Sequence, residues 1–123
     1  MQTSLLGRLL LIAEDEPLIA LEIREVFEEQ GARVIMARTL TEALLAVEDP
    51  ALSAAILDHG LCDGDSHKVC QRMNERNIPF VTFSGYDHLA GACREGVHVK
   101  KPASMSVLVA TVKDLLAERR ISN

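Results

Sequence analysis

Leu9-Leu10-Leu11-Ile12-Ala13, followed at once by Glu14-Asp15-Glu16, is the stretch from which the fold can be read. The apolar run is continuous rather than alternating, which suits a strand covered on both faces, as in a parallel sheet. Arg8 interrupts the apolarity before the run and three acids end it. The run is therefore too short for a membrane span and wrongly flanked for a signal peptide.

Working outward, four more short apolar runs follow: Arg33 to Ala37, Ala54 to Leu57, Phe80 to Phe83 and Val97 to Val99. Segments of helical period lie between them. Ile19, Ile23, Val26 and Phe27 recur at helical spacing, and Gly31 supplies a stop. Thr39 with Glu42 forms a capping box ahead of Ala43 to Val47. Ser66 is placed to cap a helix holding Val69, Cys70 and Met73. Asp87 is placed to cap a short one ending near Arg94, with Gly96 after it. Ser104 is placed to cap a last helix with Leu108, Val112, Leu115 and Leu116 on one face. Five strands alternating with five helices predict a doubly wound α/β fold with right-handed crossovers and helices on both faces. For five strands the flavodoxin-like order 2-1-3-4-5 is the natural one, with the functional crevice beyond the C-terminal strand ends.

The bulk properties agree with one domain over residues 1–123. Aromatics make up 3% and Trp is absent, so the core must be Leu, Ile, Val and Ala, and no base-stacking platform is expected. The net charge of −5 disfavours direct nucleic-acid binding. No membrane partner is expected. Three cysteines, Cys62, Cys70 and Cys93, without framework spacing argue against a disulfide scaffold and for a reducing, cytoplasmic compartment.

The chemistry-bearing residues stand just past the apolar runs. Glu14 and Asp15 follow the first, Asp58 the third, Ser84 the fourth, and Lys101-Pro102 the fifth. Taken singly, each has a plain reading as a solvated loop residue or a turn. Their joint placement at one sheet edge is what points to a site. Clustered carboxylates repel unless a cation joins them, and a hard divalent ion with oxygen ligands, Mg2+ above all, suits the set. Asp58, central in the sheet, is the natural nucleophile for a covalent aspartyl phosphate. Lys101 and the metal would neutralise charge on the transferred oxygens, and Ser84 could donate to one of them.

Ala13-Glu14-Asp15-Glu16-Pro17-Leu18-Ile19-Ala20, Leu57-Asp58 with Leu61 and Asp63-Gly64-Asp65, Ser84-Gly85-Tyr86, and Lys101-Pro102 together resemble the motifs of a response-regulator receiver domain of two-component signalling, here of a stand-alone type. The resemblance covers nearly the whole chain. It implies that Asp58 accepts a phosphoryl group from a phosphohistidine on a sensor histidine kinase or histidine phosphotransfer protein. It implies that Asp15 binds Mg2+ directly, Glu14 partly through water, and the Gly60 carbonyl as a further ligand. Lys101 would contact the phosphoryl group, with a cis bond to Pro102, and Ser84 would move toward it. Such a protein would have an unidentified downstream protein partner and no free-substrate turnover.

Several positions depart from that pattern. His98 stands three residues before Lys101, where the family carries Tyr or Phe, which leaves Tyr86 as another candidate for the switch. A histidine there can change charge near neutral pH, and a solvent-facing side chain is the plainer alternative. Cys62 replaces a common Pro, and Gly60 leaves the phosphoryl flank without a side chain. The segment between Ser84 and Lys101 is short by about one helical turn, which predicts a stunted fourth helix. Cys62, His67 and Cys70 match no zinc spacing. His59, His88 and His98 lack an evident Ser or Cys partner for a hydrolase triad. No Gly-rich phosphate loop is present. Two other classes stay open: a docking module of the same fold that works without phosphorylation, and an enzyme acting through Asp58. A haloacid-dehalogenase-type phosphatase would need a second acid where Gly60 stands.

Overall fold

The strands form where β-branched and aliphatic residues run together. The computed structural model describes residues 5–58, 60–61, 64–65, 67–84, 93, 96–101 and 104–121. In chain order the elements are β1 (Leu9–Ala13), α1 (Pro17–Glu29), β2 (Arg33–Ala37), α2 (Leu40–Ala46), β3 (Leu52–Asp58), β4 (Gly60–Leu61), β5 (Gly64–Asp65), α3 (His67–Glu75), β6 (Phe80–Ser84), β7 (Val97–Lys100) and α4 (Met105–Ile121). The main sheet has the order β2-β1-β3-β6-β7, and every pair in it is parallel. Read over its five strands, this is the 2-1-3-4-5 order, with four helices among the described residues. The expected fourth helix between β6 and β7, with its Asp87 cap, and the Ser66 cap lie outside the described residues.

Alternation along each strand splits the core in two. Leu9, Leu11, Ala13, Ala55, Leu57 and Phe80 face α2 and α3, where Ala43, Val47, Val69, Cys70 and Met73 meet them. Leu10, Ile12, Ala54, Ile56, Val81, Phe83 and Val99 face α1 and α4, against Ile23, Phe27, Leu108, Val112 and Leu116. Both sides of the sheet are thus covered, which is why the strands read as unbroken apolar runs.

The helix ends follow local chemistry. Pro17 opens α1, where a missing N–H costs nothing. Gly31 follows its C-cap with φ +96°, a left-handed conformation that suits glycine. Thr39 Oγ1 accepts from the Glu42 N–H at 3.1 Å. Glu42 Oε1 reaches back to the N–H of Arg38 at 2.7 Å, one residue beyond the N-cap that a standard capping box would bind. Ser104 Oγ accepts from the Val107 N–H at 3.3 Å and so caps α4.

Two features depart from the sequence reading. A short antiparallel ribbon, β4 with β5, follows Asp58, pairing Gly60 with Asp65 and Leu61 with Gly64. The Asp63-Gly64 dipeptide does not announce it, because Gly64 is itself paired in β5. The second is a correction. Cys70 and Cys93 form a disulfide, with Cα atoms 5.0 Å apart, where the odd cysteine count argued against one. The inner face of α3 meets residue 93 only through the tertiary fold, a contact that cysteine spacing does not encode.

Candidate functional site

Strand register brings the acids together. β1 and β3 pair up to Ala13↔Leu57, so Glu14 and Asp58 leave the sheet side by side. The Glu14 N–H donates to the Ala37 carbonyl at 3.0 Å, which holds the chain at the β1 exit. Glu14, Asp58 and Lys101 each stand two residues beyond Ile12, Ile56 and Val99, all of the α1–α4 core. By the period of two they fall on the same side of the sheet.

Each of Glu14, Asp15 and Asp58 offers a carboxylate oxygen within 4.8 Å of the others. Lys101 Nζ donates to Asp58 Oδ1 at 3.0 Å and lies 3.5 Å from Glu14 Oε1. The ammonium also sits 5.2 Å from the centre of the Phe83 ring, a cation–π contact that fixes the arm. Ser84 ends β6, in register with Lys100 and one residue beyond the partner of Asp58. Gly60 follows two residues after Asp58, at the start of β4. Gly85, Tyr86 and Pro102, and the Ser84 side chain, lie outside the described residues.

The electrostatics show what the cluster lacks. Glu14 is 2% exposed, and its Oε2 accepts from the Glu16 N–H at 3.1 Å. Oε1 is buried and accepts no hydrogen bond. Burial pushes the Glu14 carboxyl up from its ordinary range. The Glu16 N–H pulls it down, the Asp58 charge pushes it up, and Lys101 pulls it down again. For Lys101, burial works against the charged form, but the hydrogen bond and charge of Asp58, with the charge of Glu14, outweigh it and raise its pKa. A buried carboxylate oxygen that faces the Lys101 ammonium at 3.5 Å without a hydrogen bond, beside two further carboxylates, is what a hard cation with oxygen ligands would satisfy. The acidic set can therefore hold a metal ion.

Other histidines and cysteines do not gather into a second centre among the described residues. His67 is exposed, and the Cys70 sulfur is occupied by Cys93. His98 is neither a free surface ring nor turned to the carboxylates. Its Nδ1 lies 3.1 Å from the hydroxyl of Thr82, which is wholly buried. Sequence reasoning passed over Thr82 because nothing local marks it. The signal was the pairing of β6 with β7, which sets Thr82 directly opposite His98.

No family model matches the chain. It is 27% identical over 113 residues to the curated "Response regulator RR06" of Streptococcus pneumoniae serotype 2 (strain D39 / NCTC 7466), covering 87% of this chain. The chain spans about half, 52%, of the length of that relative. Among solved structures it is similar to a response regulator receiver protein from Sinorhizobium medicae WSM419, with a TM-score of 0.83 and 24% identity, over 94% of this chain and 99% of that one. It is similar to a CheY-like receiver domain protein from Methanospirillum hungatei JF-1, with a TM-score of 0.83 and 22% identity, over 96% and 99%. It is also similar to the response regulator PhyR from Brucella abortus, with a TM-score of 0.80 and 25% identity, over 95% of this chain and 51% of that one. No helix among the described residues is long and apolar enough to cross a membrane. In fold the chain is like these receiver structures, with a carboxylate cluster at its sheet edge, and in sequence it is similar to a response regulator.

Proposed function

We propose that this receiver takes a phosphoryl group onto Asp58 from a phosphohistidine on a sensor histidine kinase or histidine phosphotransfer protein, in the cytoplasm, and passes the signal on through protein contacts. One observation carries the reading. Lys101 Nζ stands 3.0 Å from Asp58 Oδ1, while Asp58 shares a 4.8 Å cluster with Glu14 and Asp15. Residues 1–123 are taken as one receiver domain.

In this reading an Asp58 oxygen attacks phosphorus, the P–N bond to the imidazole breaks, and the electron pair stays on the nitrogen. Lys101 stabilises negative charge on the oxygens in transfer. Asp15 and Asp58 would hold Mg2+, with Glu14 partly through water and the Gly60 carbonyl as a further ligand. Mg2+, when bound, would neutralise charge on the phosphoryl oxygens. The Ser84 hydroxyl would donate to a phosphoryl oxygen, and hydrolysis would later return Asp58 to its free form.

The test is incubation with acetyl phosphate and Mg2+, followed by intact-mass measurement on wild type and on Asp58→Asn. One phosphoryl group on wild type and none on the variant is the expected result. Equal labelling of both removes Asp58 as the acceptor. No labelling of either, with a cognate kinase also supplied, would leave a docking module that works without phosphorylation.

A further inference from the structure

The cysteine pair lies outside the carboxylate site. Cys70 sits on the inner face of α3, and Cys93 lies shortly before β7. Both are closed off from solvent, at 0% and 1% exposure, and both belong to the core that includes Val69, Met73, Ile78 and Phe80. Their Cα separation of 5.0 Å is one a disulfide spans without backbone movement.

The bond closes a loop of sequence separation 23 that contains all of β6. It fastens the lead-in of β7, an edge strand, to a helix on one face of the sheet. β7 in turn leads directly to Lys101. A crosslink there removes conformational freedom from the unfolded chain and restrains that half of the sheet.

We propose that Cys70 and Cys93 are a reversible thiol–disulfide modification site whose redox state sets the stability of the β6–β7 half of the sheet. The oxidant is a small disulfide, such as glutathione disulfide, or an oxidised dithiol protein. One protein thiolate attacks the small disulfide, forming a mixed disulfide and releasing one glutathione thiol. The second protein thiolate attacks the protein sulfur and releases the other. Two protein thiols and one glutathione disulfide thus become one protein disulfide and two glutathione thiols. Both sulfurs are buried, so exchange in either direction passes through local opening between α3 and residue 93. In a reducing compartment a disulfide that persists is redox-sensing more often than structural.

The full chain is equilibrated at a series of reduced-to-oxidised glutathione ratios, quenched in acid, unfolded, alkylated and weighed. The expected oxidised form carries one alkylatable thiol, at Cys62, and the reduced form three. Cys62→Ser should carry none when oxidised, which identifies the pair. Dithiothreitol on the native protein should restore all thiols. The oxidised form should melt about 10 °C higher than the reduced form, with slower hydrogen exchange in 97–100. Cys70→Ala/Cys93→Ala should show no redox dependence. Should that variant not fold, the two forms of wild type still give the comparison. Three free thiols at every ratio, a bond that native-state reductant never opens, or equal melting of the two forms would each overturn the proposal. None of these readouts needs Asp58 to accept a phosphoryl group, so this inference and the phosphoryl-acceptor reading can fail separately.

Discussion

Thr82 Oγ1 and His98 Nδ1 lie 3.1 Å apart across β6 and β7, in direct strand register. The hydroxyl can donate to a neutral ring or accept from a protonated one, so the contact survives either charge state of the histidine. Truncating the ring strands a buried hydroxyl, whereas removing both groups leaves neither side of this contact without its partner. His98→Ala should therefore cost about 1–3 kcal/mol in urea unfolding. Thr82→Val combined with His98→Ala should cost less than the two single changes added together, with a coupling of about 1 kcal/mol. Strict additivity would mean that the pair does not interact in solution.

Lys101 competes with a metal ion for the same carboxylates while it supports negative charge on Asp58. Removing it should move the two properties in opposite directions. Lys101→Met should bind Mg2+ on the order of tenfold more tightly in a calorimetric titration, because one positive charge leaves the cluster. Its labelling by acetyl phosphate should fall on the order of 100-fold, the scale for losing a charge-stabilising donor. A parallel loss of both properties would point to a disrupted site and not to electrostatic competition.

Glu14 and Asp15 should differ in what they do without metal. Glu14 is buried with one oxygen lacking a donor, whereas Asp15 is half-buried. In chelator, Glu14→Gln should unfold at higher urea than wild type, since the environment as a whole disfavours its charge. Asp15→Asn should change stability little. Both variants should bind Mg2+ roughly tenfold or more weakly, because each loses a charged oxygen ligand. Unchanged binding in both would place the ion elsewhere.

The parts of the site that lie just past strand ends were legible in the sequence, because a parallel sheet delivers those ends to one edge whatever the details of packing. Glu14, Asp58 and Lys101 meet for that reason. The depth of Glu14 was not legible, since a solvated acid and a buried one look alike in sequence. Nor was the Thr82–His98 pair, which depends on the offset between two strands. The contact of Cys70 with Cys93 was hidden too, because it joins a helix to a residue outside the strands, and only the tertiary fold sets their approach.

Arg72 joins α3 to the turn after α2 through Glu48, with Nε to Oε2 at 2.6 Å and Nη2 to Oε1 at 2.9 Å. It also holds Glu75 at 3.1 Å. The hydrogen bond from Arg72 lowers the Glu48 carboxyl below its ordinary value. A lowered carboxylate pKa contributes stability above the unfolded value and loses it as pH falls through the folded one. The side chains are well exposed, so solvent and salt screen the effect. Glu48→Gln should show a small drop in melting temperature at neutral pH that disappears in acid or in high salt. A drop of equal size in acid would mean that packing, not the ion pair, is what the substitution removes.

Gly96 precedes β7 for a reason of space. A Cβ at this position would lie 2.4 Å from Cε2 of Phe80 and 2.7 Å from its carbonyl oxygen. The neighbour is a buried ring at the start of β6, 2% exposed, which has no room to step aside. Sequence reading gave this glycine a place after a helix end, but the approach of Phe80 alone is enough to require it. Gly96→Ala should then destabilise the chain by about 1–3 kcal/mol, the usual range for overpacking. Phe80→Leu in the same chain should recover part of that loss, because the smaller side chain vacates the space the new methyl needs. The pair of unfolding curves separates sterics from backbone preference. If Gly96→Ala costs the same with Leu at position 80 as with Phe, the ring is not what excludes a side chain there.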